Sequence, residues 1–253
     1  MRIILNFIVF LMFSSTASAF DHTHQIWNEV LSRYVQPSGK TTVVDYKVLK
    51  GSPQKLNEYL KTLSSVSKSE YEKFSKSEKL AFLINAYNAF TLKLIINHHP
   101  VKSIKDIGSW FSSPWKKKFF NLLGTKMHLD GIEHDTIRAN FDEPRIHFAV
   151  NCASIGCPSL ATEAFVASRL DQQLEQAAVD FLTDESRNRF DPATNTLYLS
   201  QIFEWYGDDF KSAGGVRSFV STRMAKEPKV QEKISAAKLE YLDYNWNLNQ
   251  KTD

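Results

Sequence analysis

Residues 75–100, SKSEKLAFLINAYNAFTLKLIINHHP, decide how the rest of the chain is read. Ser75 and Glu78 stand three apart ahead of an apolar run, the spacing of a capping box. No glycine or proline interrupts the run until Pro100, so a long helix is predicted that stops there. It is apolar nearly all round, which places it inside a protein rather than on its surface. Asn85, Asn88 and Lys93 break the apolar stretch, so it does not read as a membrane span.

Elements of both kinds are expected to pack against this helix. HQIWNEVLSRY (24–34) and Lys55 to Leu63 have helical spacing, with a short β-like TTVVDY between them. The segment 101–128 is irregular and aromatic. LDGIEHDTIRANF predicts a helix with Ile132, Thr136, Ile137 and Phe141 near one face. RIHFAV alternates like a strand, with Ile146, Phe148 and Val150 on one side. Residues 168–183 predict an amphipathic helix, TLYLSQIF a strand, and FEWYGDDF an aromatic, acidic turn. The remainder reads as helix up to the aromatic tail EYLDYNWNLN. Helices with a few scattered strands predict an α+β fold: one helix-rich domain with a small sheet.

The chain has 253 residues, 43% hydrophobic and 23% charged, in the range of an ordinary globular protein. No repeat and no Pro/Gly/Ser-rich linker divides it, so residues 20–253 are expected to form one domain. The first nineteen read as a cleavable export signal. Arg2 precedes the apolar core Ile3 to Phe13, and Ala17-Ser18-Ala19 is a small-x-small cleavage site. A periplasmic or secreted protein is therefore expected, with no membrane span in its mature part. The formal charge is +3 and spread along the chain. Lys116-Lys117-Lys118 is the densest basic cluster, too short for a nucleic-acid face.

The chemistry concentrates in NCASIGCPSL (151–160), which holds the only two cysteines. In an exported chain, an even cysteine count points to a disulfide. A nucleophile is the competing reading, since Cys152 follows the predicted strand and two histidines lie near it in sequence, His134 and His147. A zinc site built on these four residues lacks the CxxC or HExxH spacing, and no metal or other cofactor is expected. Asn85 and Asn88 share a face of the apolar helix. Buried amides need partners, either backbone or an active site in which one of them holds an oxyanion.

FLINAYNAFTLKLI, LDGIEHDTIR, EPRIHFAVNCASIGCPSL and LSQIFEWYGDDF, in that order, resemble the domain-of-unknown-function family 547, and the closing YLDYNWNLN fits as well. The likeness covers about residues 70 to 248. It includes Asn85, Tyr87, Asn88, Glu133 and His134, then Arg145, His147, Cys152, Cys157 and Pro158, and finally Trp205 and Asp209. The resemblance implies a fold akin to papain-like thiol hydrolases and a small γ-glutamyl peptide, such as glutathione, as substrate. Plant members keep the first cysteine and the Glu-His pair, with serine at the position of Cys157; some animal relatives lack the cysteine.

The resemblance therefore implies an exported thiol hydrolase with Cys152 as nucleophile, His134 as base and Glu133 assisting. Asn85, Asn88, Arg145, His147, Cys157, Trp205 and Asp209 would support the site or bind a small peptide-like substrate. The alternative is a non-catalytic module that binds a peptide or protein in a cleft lined by Trp205, Tyr206 and Asp209, with Cys152 and Cys157 as a structural pair.

Overall fold

The computed structural model describes residues 19–109 and 112–252; the expected export signal lies outside them, except for Ala19. The protein is α+β, mostly helical, with three small sheets.

The helix expected from the opening stretch spans Lys76–His98. Its capping box forms: Glu78 N–H donates to Ser75 Oγ at 3.2 Å, and Ser75 N–H donates to Glu78 Oε2 at 2.7 Å. The helix is long and apolar enough to cross a membrane, yet 89% of its apolar window is buried inside the protein. It is the axis of the larger hydrophobic cluster. Helices Gln25–Tyr34 and Gln54–Ser65 contribute Trp27, Leu31, Tyr59 and Leu63 to that cluster. A hairpin, Val35–Ser38 with Thr41–Val44, follows the first helix, and Gly39 takes φ 61° where the chain reverses. A second hairpin, Phe120–Leu122 with Thr125–Met127, lies in the segment expected to be irregular, and its Phe120 ring stacks on Phe90 at 3.7 Å.

A smaller cluster forms around Phe148, Phe181, Phe203, Phe210 and Phe219. Helix Leu170–Leu182 and a three-stranded sheet enclose it. Thr196–Ser200 is the central strand, antiparallel to Arg189–Asp191 and parallel to Lys238–Leu242. The parallel pairing needs a crossover, supplied by helices Gly215–Met224 and Pro228–Ala236.

Three expectations are corrected. RIHFAV is not a strand: Pro144–Phe148 is a 3₁₀ helix. Pro144 presets the first helical position, and the Glu143 carboxylate accepts from Arg145 N–H at 3.2 Å. Successive residues therefore point in three directions, Ile146 into the larger cluster, His147 toward Asp209, and Phe148 into the smaller cluster. FEWYGDDF is not a simple turn but parts of two short helices, Ile202–Trp205 and Gly207–Ala213. The third strand, KLEYL (238–242), takes in the last two residues expected to be helical and the first three of the aromatic tail, because it pairs along TLYLS.

Candidate functional site

Between the two hydrophobic clusters lies a cavity of about 270 Å³. Tyr87 and Val150 reach it from the larger cluster and Ile202 from the smaller one. Glu133, His134, His147, Cys152, Cys157 and Trp205 all line it. Six of the ten residues expected to form or support a site are thus brought to one place.

Glu133 and His134 are on the helix read from LDGIEHDTIRANF, but its stretch Glu133–Arg138 is π-helical. Such wide turns are rare and recur at functional sites. A wider turn narrows the angle between successive side chains, and both residues line the same cavity. Glu133 is buried, whereas the His134 side chain is 34% exposed. Burial, together with the charge of Glu133 and hydrogen bonding to it, pushes the Tyr87 and Tyr206 phenols above their usual range.

The two histidines differ in what their ring nitrogens can do. Arg138 donates to His134 Nδ1 at 2.8 Å. A guanidinium has no acceptor, so Nδ1 is the accepting nitrogen, and a neutral His134 carries its proton on Nε2. Its basic lone pair is occupied, which suits a donor rather than a base. His147 donates from Nε2 to Asp209 Oδ2 at 2.7 Å, while its Nδ1 lies 4.0 Å from Glu133 Oε1. Its ring stacks on Tyr206 with centroids 4.0 Å apart. Asp209 also accepts two bonds from Arg138, at 2.6 and 2.8 Å. Hydrogen bonds from His147 and Arg138 hold the Asp209 carboxyl well below the usual carboxylate range. A carboxylate that fixes one ring nitrogen and leaves the other free is the arrangement of an acid–base histidine. Asp209 does not line the cavity; it positions His147.

Cys152 and Cys157 are joined as a disulfide in the cavity wall. Cys157 is buried and Cys152 partly exposed. Cys152 N–H donates to Cys157 Sγ at 2.9 Å, and the Tyr244 hydroxyl lies 3.2 Å from Cys157 Sγ and 3.3 Å from Cys152 Sγ. Burial pushes the Tyr244 phenol up, while the Ser154 hydroxyl bonded to it works the other way. The chain's tail clamps this loop: Ile155 N–H donates to Asn247 O and Gly156 N–H to Asn245 O, both at 2.8 Å. A Cβ on Gly156 would stand 3.0 Å from Asn245 N and from the Tyr244 ring, so only glycine fits without displacement.

The remaining expected site residues do not line the cavity. Asn85 bonds both backbone groups of Phe165, donating to its carbonyl at 2.7 Å and accepting from its N–H at 3.0 Å. Asn88 donates to Ala149 O at 2.9 Å and accepts from Asn151 N–H at 2.8 Å. Its carbonyl and amide nitrogen are both held by backbone; Asn88 shapes the cysteine loop instead of meeting an oxyanion. Arg145 is held by Glu143, Asp171 and Glu175, away from the cavity. No group of three or more His, Cys, Asp or Glu among the described residues is arranged to hold a metal ion.

Tyr244, Trp246 and Trp115 line the cavity without having been singled out. The aromatic richness of 101–128 and of the tail was their only signal. Arg138, which sets the His134 tautomer, had none beyond its place on the predicted helix.

The fold and site define a helix-rich α+β protein with a histidine-, tyrosine- and disulfide-lined cavity between two hydrophobic clusters. Residues 71–182 match the family described as "Protein of unknown function, DUF547", and over this segment the chain is similar to that family. The matched segment contains Glu133, His134, His147 and both cysteines, whereas Trp205, Tyr206, Asp209, Tyr244 and Trp246 lie beyond it. No curated protein and no solved structure matches the chain.

Proposed function

We propose that the protein is a thiol-dependent hydrolase of small amides or thioesters, at rest in the disulfide form. The observation that carries this reading is the meeting of Cys152, Glu133 and the Asp209-oriented His147 at one cavity. Activation requires a dithiol reductant. Its thiolate attacks the Cys152–Cys157 bond, and exchange leaves two cysteine thiols and the oxidised reductant. Cys152 then loses its proton to His147 Nδ1 and attacks the substrate carbonyl carbon. The same proton passes to the departing amine or thiolate, and water hydrolyses the Cys152 thioester. His134, which holds its proton on Nε2 because Arg138 occupies Nδ1, donates to the developing oxyanion. This assignment differs from the sequence expectation, in which His134 was the base and His147 a supporting residue: His147 becomes the base and His134 the donor. Export to the periplasm or beyond accords with a disulfide at the site and remains part of the proposal. γ-Glutamyl peptides are the first substrate class to assay.

The test is turnover of a chromogenic amide panel, including γ-glutamyl anilides, with and without a dithiol. Activity is expected only after reduction, and Cys152→Ala is expected to lower kcat/KM by on the order of a thousandfold or more. His134→Gln is expected to lower kcat by about a hundredfold with little change in KM. A Cys152→Ala protein that keeps its turnover would falsify the proposal. The intact sulfur–sulfur bond, with hydrogen bonds donated to it, favours a second reading, a binding module with a structural disulfide. In that case the native protein resists both dithiol reduction and iodoacetamide.

A further inference from the structure

We infer that the cavity selects a small organic cation, an alkyl- or arylammonium group. The inference rests on this cavity being the functional site, as proposed above, and names the ligand chemistry that it takes. Among the described residues, two carboxylates line the cavity, Asp130 and Glu133, and no lysine or arginine does. That is the reverse of the chain as a whole, in which Lys and Arg outnumber Asp and Glu by 31 to 28.

The acids are not balanced from within the cavity. Asp130 has His134 Nε2 at 3.9 Å, but His134 accepts from Arg138 through Nδ1 and, when neutral, brings no counter-charge. Glu133 faces two tyrosine hydroxyls and His147, whose Nε2–H is already directed at Asp209.

Beside Tyr87, five further aromatic rings line the wall: Trp115, Trp205, Tyr206, Tyr244 and Trp246. Trp205, Tyr244 and Trp246 form one cluster, with centroid separations of 4.9, 4.5 and 5.7 Å, and Trp115 meets Trp246 edge-on at 5.8 Å. Trp205 stays 44% exposed, although burying an indole is favourable. Ring faces attract cations, and an ammonium ion loses less on entering such a box than on entering an aliphatic one. The molecule already makes this contact just outside the cavity, where Lys105 Nζ sits 3.6 Å from the Trp246 centroid. An anion of the same size would meet two carboxylates and the negative faces of the rings. At about 270 Å³ the cavity falls just under the roughly 300 Å³ at which drug-sized pockets begin, so the ligand is small.

The test is calorimetric titration of the full chain, disulfide intact, with three probes that share a ring: phenethylamine, 2-phenylethanol and phenylacetate. Phenethylamine is expected to bind about tenfold more tightly than the alcohol, and phenylacetate most weakly. The Asp130→Asn/Glu133→Gln double variant should lose the amine's advantage while holding the alcohol as before. Trp205→Ala should weaken the amine without unfolding the protein, since that side chain is half exposed. Equal binding of amine and alcohol, an amine advantage that survives the double variant, or no amine binding at all would overturn the inference. The titration involves no turnover. A Cys152→Ala protein that abolishes the hydrolase proposal therefore leaves this result readable, and the reverse also holds.

Discussion

Asn88 shows how a single side chain in the core helix sets the geometry of a loop sixty residues away. Its amide meets one donor and one acceptor of the 149–151 backbone, all of them buried. Asn151 then repeats the device, donating to Pro158 O at 2.7 Å and accepting from Ala153 N–H at 2.8 Å. The two asparagines hold the cysteine loop from inside. Asn88→Ala removes both bonds and strands two buried backbone groups, at a cost of about 2–4 kcal/mol. Urea denaturation should report that loss as a lower midpoint. A midpoint unchanged from the parent protein would show that water or a shifted loop satisfies the two groups.

At the scale of elements, the core helix depends on its first turn for a defined start. Ser75 and Glu78 satisfy two N–H groups that would otherwise lack partners, and Ser75 is exposed, so its effect separates cleanly from packing. Ser75→Ala should destabilise the protein by about 1 kcal/mol. Thermal melting checks this, and Ser75→Asp should restore most of the difference, because an aspartate caps equally well and suits the positive end of the helix. This helix was legible in the sequence because cap, apolar run and stop all lie within it. The 3₁₀ helix Pro144–Phe148 was not legible as such. Its alternating pattern reads as a strand, but its residues alternate between two hydrophobic clusters and the cavity, not between two faces of a sheet.

Across the whole molecule, the acid response depends on a residue far from the cavity. His24 is buried, with Nδ1 2.7 Å from the Tyr59 hydroxyl, and burial lowers its pKa from 6.5 to about 4. The folded protein therefore keeps His24 neutral at a pH where the unfolded chain binds a proton. The resulting stability is fully present above about pH 6.5 and is lost as pH falls to about 4, where the loss levels off. Its size is about 3 kcal/mol. In His24→Gln, the difference between the melting temperatures at pH 7 and pH 4 should shrink. An unchanged difference would mean that His24 takes up its proton without opening the fold. Asp209 acts lower on the scale: its depressed pKa favours the folded state above the ordinary carboxylate range and loses that contribution only in stronger acid.

Periodicity, caps and residue chemistry, all local, were enough to read the longer helices and the α+β class, and they singled out Cys152, Glu133 and the two histidines as candidates. Which ring nitrogen of each histidine is held by a neighbour was decided only in three dimensions. That choice depends on Arg138 and Asp209, four and sixty-two residues from the rings they control. The aromatic wall is likewise a tertiary product, because Trp115, Trp205 and Trp246 come from three separate segments. The pairing of Cys152 with Cys157 was one of several readings the sequence allowed. Their approach needed the loop held by Asn88 and Asn151 on one side and by the chain's tail on the other, and no pattern within ten residues encodes contacts made across the whole fold.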